Sequence, residues 1–287
     1  MKIFFVLALA GACGSAAGQT PANNPMPDGS RDMYVGLGAS SQPRYDGADN
    51  RRTRALPLLQ FEFSNGLFVS GLSAGWHLAQ GERIEYGPLL AFQPRRTPAG
   101  LGAGAGGVSA EGEGFAYGPP TLTPGVAVQT AGANRLEGMR TVRAHAQGGV
   151  FLNYYLTPQL RLTNSVLYGA GGKGLAWELG LQRIAAQFGE HHRLSASAGL
   201  TVVNRQYNET FFGVTQAEHL SSGNAPYAPD GGIKDVFVGG RWNWALSPSL
   251  MLTSSARVSR LTGDARRSPL VEQPTQFSIS TGLAVRF

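Results

Sequence analysis

The sequence predicts an all-β fold, an antiparallel transmembrane β-barrel of 10 or 12 strands. Three observations predict it: side chains alternate with a period of two, the alternating segments are long, and short turns alternate with long loops. The composition agrees, since 40 of the 287 residues are glycine and only 15% are charged, where a soluble domain usually has about 25%. Beyond the N-terminus no apolar run reaches 18 residues, which excludes a helical membrane protein.

The first 18 residues have the pattern of a signal peptide. Lys2 supplies a positive charge, residues 3–12 are apolar, and residues 15–18 are small. Cys13 is the only cysteine; we expect it to leave with the signal, and lipidation is the alternative because AGAC at 10–13 is similar to a lipobox. Residues 19–30 then form a polar, flexible periplasmic lead, and residues 31–287 form the barrel.

The clearest alternation lies in the last segment, where Phe277, Ile279, Leu283, Val285 and Phe287 share one face and small or polar residues share the other. Eleven such segments occur: 33–40, 54–63, 67–76, 84–93, 142–154, 159–168, 175–182, 194–202, 236–246, 249–261 and 276–287. Most have the length of about 9–11 residues that a bilayer-spanning strand needs. Bacterial barrels have even strand numbers. One strand is therefore miscounted between about 64 and 140: either 121–130 holds a twelfth, or two early segments are one.

The connections indicate two different rims. Residues 64–66, 157–159, 189–191 and 247–249 are tight turns, whereas residues 41–53, 94–140, 206–232 and 262–275 are long. Short periplasmic turns and long extracellular loops are typical of a barrel in the outer membrane of a Gram-negative bacterium. A soluble β-sandwich or lipocalin is the alternative, but such proteins do not usually keep one face apolar in nearly every strand.

The motifs do not favour an enzyme, a cofactor or a metal site. The glycine-rich run at 102–107 precedes no helical pattern, and GGKG at 171–174 lacks the rest of a phosphate-binding loop, so we read both as loops or turns. The five histidines have no metal-ligand spacing, and no G-x-S-x-G motif occurs. The net charge of +6 is scattered, without the basic stripe of a nucleic-acid-binding protein.

If the apolar faces meet lipid, the polar faces point into the barrel. This places six charged residues inside: Arg143, Arg161, Glu178, Arg241, Arg257 and Arg286. They form either a basic lining that favours anions or a hydrogen-bonded ladder that fills a narrow barrel. Trp242 and Trp244, just before a tight turn, are expected at the periplasmic membrane interface. Phe287 resembles the C-terminal signal that barrel-assembly machinery reads.

Several segments resemble the MipA/OmpV family of MltA-interacting outer-membrane proteins. They are YNETFFGVT at 207–215, APY at 225–227, DGGIKDV at 230–236, SRLTGDA at 259–265 and SPLV at 268–271, with ALPLL at 55–59, FVSG at 68–71 and YGAGGKG at 168–174. The resemblance is weakest over 94–140. It implies a non-enzymatic barrel in outer-membrane lipid that acts as a scaffold for a lytic transglycosylase and a peptidoglycan synthase. The alternative is a narrow channel for small solutes that favours anions.

Overall fold

The computed structural model describes residues 33–81, 83–101, 134–188 and 191–287. The predicted signal peptide, the periplasmic lead, the 102–107 run and the 121–130 segment lie outside the described residues. The strands are β1 Met33–Pro43, β2 Arg51–Glu62, β3 Leu67–Ser70, β4 Ser73–Trp76, β5 Ala79–Gln80, β6 Ile84–Gln93, β7 Arg96–Thr97, β8 Gly100–Leu101, β9 His145–Thr157, β10 Leu160–Gly169, β11 Gly174–Phe188, β12 His192–Val203, β13 Gly232–Ser247, β14 Leu250–Leu261 and β15 Thr275–Arg286.

The strands close into a twelve-stranded antiparallel barrel. Each barrel strand pairs with its sequence neighbour, and β1 pairs with β15 to complete the ring. β4 and β5 both pair with β6 and form one interrupted strand, while β7 and β8 form a separate two-stranded hairpin. The expectation of 10 or 12 strands is confirmed at 12. The segment at 67–76, which the sequence presents as one strand, is the hairpin β3–β4, and this supplies the missing strand.

The period-two alternation places apolar side chains on the outer face. Leu37 is 66% exposed and Val238 is 62% exposed, and their strand neighbours at alternate positions point the same way. The inner face carries mostly small and polar residues, together with some buried apolar ones. In β1 and β15 the inward positions include Gly38 and Gly282, which are directly opposite each other. A Cβ atom at Gly38 would overlap the backbone of β15, so glycine is required for this close approach.

The two ends of the barrel differ. At one end, called the turn end, β2–β3, β5–β6, β9–β10, β11–β12 and β13–β14 are joined by short turns. At the other, the loop end, lie the long connections, with α1 Arg205–Phe211, α2 Gln216–Ser222 and α3 Gly263–Arg267. Two loop-end connections are short: Gly71–Leu72, and 170–173, where Gly171 and Gly172 both have φ of 71°. None of the helices among the described residues is sufficiently long and apolar to cross a bilayer.

Candidate functional site

The inner face near the turn end is organised around Glu85 of β6. The Glu85 Oε2 atom accepts hydrogen bonds from Asn153 Nδ2 and Tyr155 OH, each at 3.1 Å, and lies 3.3 Å from Arg161 Nη1. His77 Nδ1 lies 2.7 Å from the other carboxylate oxygen, Oε1. The Arg161 side chain is only 1% exposed, so the groups of this network pack closely around its guanidinium.

A second ion pair lies on the opposite part of the inner face. Arg257 Nη2 of β14 is 3.6 Å from Glu178 Oε2 of β11, although two strands separate them in the sheet. The inward positions between them include Gly239 and Gly199, which leave room for the two long side chains. The Arg257 guanidinium also lies 3.5 Å from the ring centroid of Phe237, a cation–π contact.

Apolar side chains also fill the inside of the barrel. Phe68, Leu89 and Phe151 form one buried cluster, with Leu167 against it. Leu56 and Leu58 form a second with Ala284, and Tyr34 and Met251 pack against that cluster. Clusters of this kind are typical of a protein core.

At the loop end the long connections pack together into a structure that we call the cap, residues 44–50, 94–101, 134–144, 204–231 and 262–274. Its main hydrophobic cluster joins four of these segments: Tyr45, Ala48, Leu136, Met139, Val214 and Leu270. A second cluster joins α1 to α3 and the end of β14 through Phe212, Ala265 and Leu261. Because these contacts link distant parts of the chain, the described loops form one folded layer.

Buried polar groups tie the cap together. The Arg96 side chain is buried and donates hydrogen bonds to the carbonyl oxygens of Phe211 and Thr210 at the end of α1. Burial and the nearby Arg140 lower the pKa of Arg96 to about 10, so it stays charged at neutral pH. Tyr45 OH donates to Leu270 O at 3.1 Å, and burial together with Glu272 raises the pKa of this phenol well above its usual range.

The helix α2 begins with a complete capping box. Thr215 Oγ1 accepts from the backbone N–H of Glu218, and the Glu218 carboxylate accepts from the backbone N–H of Thr215. Arg140 lies 3.5 Å from the same carboxylate. Burial alone would raise the pKa of Glu218, but the hydrogen bonds from Thr215 and the Arg140 backbone outweigh it and lower the pKa below its ordinary value.

Lys234 joins the cap to the barrel wall. Its Nζ atom lies 2.8 Å from Asp235 Oδ2 and 3.2 Å from Asp46 Oδ2, and the side chain is 2% exposed. Thr201 Oγ1 donates to the other oxygen of Asp235 at 2.9 Å. A shift in register between β12 and β13 at this point turns both Lys234 and Asp235 away from the outer face. The first long loop is thereby fixed to β13.

The structure brings five of the six predicted inward residues to the inner face. Arg161 and Arg257 are buried there in ion pairs, and Glu178, Arg241 and Arg286 are half-buried at inward positions. Arg143 is the exception, and its prediction as an inward residue is wrong. It is exposed and precedes β9, which begins at His145, because Val142 pairs with Arg96 in the cap and does not continue the strand.

The predicted rim residues lie on the outer face. Trp242 and Trp244 are 37% and 36% exposed, and their rings stack 5.9 Å apart, with His192 beside both. Phe287 follows β15 directly and is 69% exposed. Its backbone N–H donates to Met33 O at 3.2 Å, and its ring meets Phe61 edge-on at 6.4 Å.

Sequence reasoning did not identify the partners in these networks: Glu85, His77, Asn153, Tyr155, Arg96, Lys234, Asp235 and Asp46. One signal was available, because Glu85 is a single carboxylate on the polar face of a predicted strand and needs a cation nearby when buried. Lys234 gave no signal, since it lies where the alternation is interrupted.

A comparison with protein families identifies this chain. The family model described as "MltA-interacting protein MipA" matches residues 35–287, nearly the whole chain. The chain belongs to the MipA family. This confirms the resemblance seen in the sequence. No protein among the curated sequences matches this MipA-family chain significantly.

Solved structures that are similar to this chain include outer-membrane proteins with low sequence identity to it. The NanC porin is 8% identical with a TM-score of 0.45, over 89% of this chain and 100% of that chain. An outer-membrane channel from Pseudomonas putida F1 is 9% identical with a TM-score of 0.43, over 96% of this chain and 100% of that chain. The KdgM porin is 9% identical with a TM-score of 0.39, over 88% of this chain and 99% of that chain. All three TM-scores lie below 0.5, so nothing about the function of this protein is concluded from them.

Proposed function

We propose that this MipA-family protein is a non-enzymatic scaffold of the Gram-negative outer membrane, which holds a lytic transglycosylase and a peptidoglycan synthase near the cell wall. The observation that carries the proposal is the packing of the inner face and of the cap. Buried ion pairs and two apolar clusters lie on the inner face, and the described loops pack together at the loop end. A barrel packed in this way is suited to anchoring.

The membrane location is supported by the outer face. Large apolar side chains are exposed on every barrel strand except β2, from Val35 and Leu37 of β1 to Leu283 and Val285 of β15. In water such a belt would be a large aggregation-prone surface, whereas in a bilayer it is the surface that contacts lipid. The stacked Trp242 and Trp244 suit an interface at the turn end. The turn end is then periplasmic and the cap extracellular.

The partner class follows from the family description, which names an interaction with MltA. Enzymes that act on peptidoglycan are on the periplasmic side, so the docking surface of a scaffold must include the turn end. We expect the short turns, including 247–249 between β13 and β14, to lie at this contact.

A binding experiment, with a label attached at the turn end or in the cap, tests this role. The full chain is placed in nanodiscs, and binding of a purified lytic transglycosylase is measured against empty nanodiscs. A bulky polymer is attached to a cysteine at Pro248→Cys on the turn end or at Arg266→Cys in the cap, both of which are exposed. We expect binding that the Pro248 label blocks and the Arg266 label leaves unchanged. Binding no stronger than to empty nanodiscs would reject the scaffold.

A narrow channel that favours anions is the second candidate. The observation that favours it is the set of half-buried arginines at inward positions, Arg54, Arg193, Arg241 and Arg286. These four arginines add positive charge to the inner face besides that of Arg161 and Arg257. Single-channel recording in planar bilayers separates the two candidates, since only the channel predicts a reproducible unitary conductance.

A further inference from the structure

The short hairpin β3–β4 leaves part of the barrel wall without strands. β2 has 12 residues, but β3 pairs only with its last three, Gln60, Phe61 and Glu62. The hairpin then turns at Gly71–Leu72, where Gly71 N–H donates to Leu59 O and Phe92 N–H of β6 donates to Leu72 O. From Thr53 to Leu58, β2 is paired on the β1 side alone among the described strands. The result is a slot about 20 Å long at 3.3 Å per residue.

The backbone of β2 is directed into this slot at alternate residues. Leu59 O points towards β3, so Thr53, Ala55 and Pro57, which have the same parity, present their backbone groups to the same side. Pro57 has no N–H, which suits a position at an unpaired edge. The N–H groups of Thr53 and Ala55 remain, with no strand partner among the described residues. Backbone groups that are unpaired in a bilayer are costly, so a polar ligand is favoured here.

Arginines surround the loop end of the slot. Arg52 and Arg54 take inward positions on β2, and Arg44 follows β1 directly. The guanidinium groups of Arg44 and Arg52 donate to consecutive carbonyl oxygens, Pro98 O at 3.5 Å and Ala99 O at 3.3 Å, so the two cations lie close together. Among the described residues no carboxylate forms an ion pair with either of them. Arg51 lies on the outer face over the ring of Phe277, 5.5 Å from its centroid.

The lower part of the slot is apolar. Pro57 and Leu59 take outward positions on β2 near the hairpin turn, and Phe92, whose N–H donates to Leu72 O, is 46% exposed on the outer face of β6. Positive charge at the loop end and apolar surface below it match an amphiphile with an anionic head and an acyl tail. At the extracellular side of an outer membrane, this chemistry belongs to a phosphorylated glycolipid.

We infer that the slot between β2 and β6 is a lipid-binding site, which holds a phosphate-bearing lipid of the outer leaflet. Arg44 and Arg52 contact the phosphate, Arg54 adds charge from the inner side, and the N–H groups of Thr53 and Ala55 donate to headgroup oxygens. The inference rests on the membrane location and is independent of the scaffold role. Loss of enzyme binding with lipid binding intact would reject the scaffold alone.

A titration with three probes tests the charge requirement. Full-length protein in detergent is titrated with bisphosphorylated lipid A, with lipid A stripped of phosphate, and with inorganic phosphate as competitor. We expect removal of the phosphates, or the double change Arg52→Gln with Arg54→Gln, to weaken binding by about tenfold or more, as for lost charge-assisted hydrogen bonds. The matched control is Arg260→Gln, an exposed arginine at the loop end of the fully paired strand β14. Equal weakening of lipid binding by the control variant would overturn the assignment of this site. Effective competition by inorganic phosphate would show that the site binds free anions, which would overturn its assignment to a lipid.

A cross-linking experiment keeps all the arginines in place. Its result therefore does not depend on whether the double variant folds. A photoreactive amino acid replaces Ala55, which is exposed at the slot, or Ala198, which is exposed on the paired strand β12. We expect a glycolipid adduct by mass spectrometry at several times the yield from position 198. Cross-links from position 55 to another part of this chain, with no lipid adduct, would show that the protein fills the slot itself and would overturn the inference.

Discussion

Arg161 and Glu85 form an ion pair inside the barrel, with 3.3 Å between Nη1 and Oε2, although β9 separates their strands in the sheet. The pair is enclosed by Asn153, which donates to Glu85, by Gln182, which accepts from Arg161, and by Tyr155, whose hydroxyl donates to Glu85 and accepts from Arg161. A buried charge is tolerated only with such partners, because water has been removed from it. This relationship shows that the part of the inner face around Arg161 and Glu85 is closely packed.

Removal of one member of this pair is expected to be strongly destabilising. Arg161→Met leaves the Glu85 carboxylate buried without its arginine partner, and we expect a loss of about 3–5 kcal/mol in the free energy of unfolding. The control is Arg183→Met, since Arg183 is exposed on the outer face of β11. Urea unfolding in lipid vesicles, followed by tryptophan fluorescence, measures both. Similar small losses in the two variants would contradict a buried pair.

Charges on the outer face should have a cost that depends on depth. Val238 lies near the middle of β13 and is 62% exposed, and Leu246 lies near the turn end and is 40% exposed. We expect Val238→Arg to cost about 2–4 kcal/mol and Leu246→Arg about 0–1 kcal/mol, because the bilayer centre excludes charge more strongly than the interface. The same vesicle unfolding assay measures the difference. A water-soluble barrel would tolerate both changes equally.

Deletion of Phe287 should impair assembly. The residue closes the last strand, its N–H donates to Met33 O, and its ring meets Phe61, so it supports the seam between β15 and β1. It also resembles the C-terminal assembly signal. We expect much less folded protein in membranes than for a deletion of Asn23 and Asn24 in the polar lead. Heat-modifiable migration on gels at matched expression reports the folded fraction, and parental yield from the Phe287 deletion would refute the signal.

The cap should loosen at acid pH through Glu218. Its pKa is lowered in the folded protein, so the carboxylate stabilises α2 above the ordinary glutamate pKa of about 4.3. This contribution is lost as the pH falls through the lower, folded-state pKa. Hydrogen exchange of residues 216–222 between pH 6 and pH 3 measures it, with Glu218→Gln as the non-ionising control. We expect faster opening at low pH in the parent and a flatter profile in the variant; identical profiles would contradict the assignment.

The sequence predicted the barrel because alternation is a local property of each strand. Most strand positions, the outer face and the two unlike rims could be read from it. The hairpin β3–β4 was missed because its turn has only two residues, Gly71–Leu72, and residues 67–76 contain no proline, asparagine or aspartate. The one signal was Gly71, whose φ of 59° begins the two-residue turn.

The ion pairs and the cap could not be predicted from local pattern. Glu85 meets Arg161, 76 residues later, because β6 and β10 both pair with β9 in a particular register. Arg143 was misplaced for a related reason. Its neighbour Val142 continues the apolar alternation, but a tertiary contact with Arg96 takes this segment into the cap. Such contacts depend on which loops meet above the barrel.

Single-channel recording in planar bilayers tests most directly the claim that this barrel is filled and capped. Full-length protein is inserted at low density, and current is recorded in symmetrical salt, beside a known porin as positive control. The filled interior predicts no reproducible unitary conductance, whereas cap removal combined with Arg161→Met and Phe151→Ala should produce one. Stable, anion-favouring unitary steps from the unaltered protein would contradict the account and establish the channel.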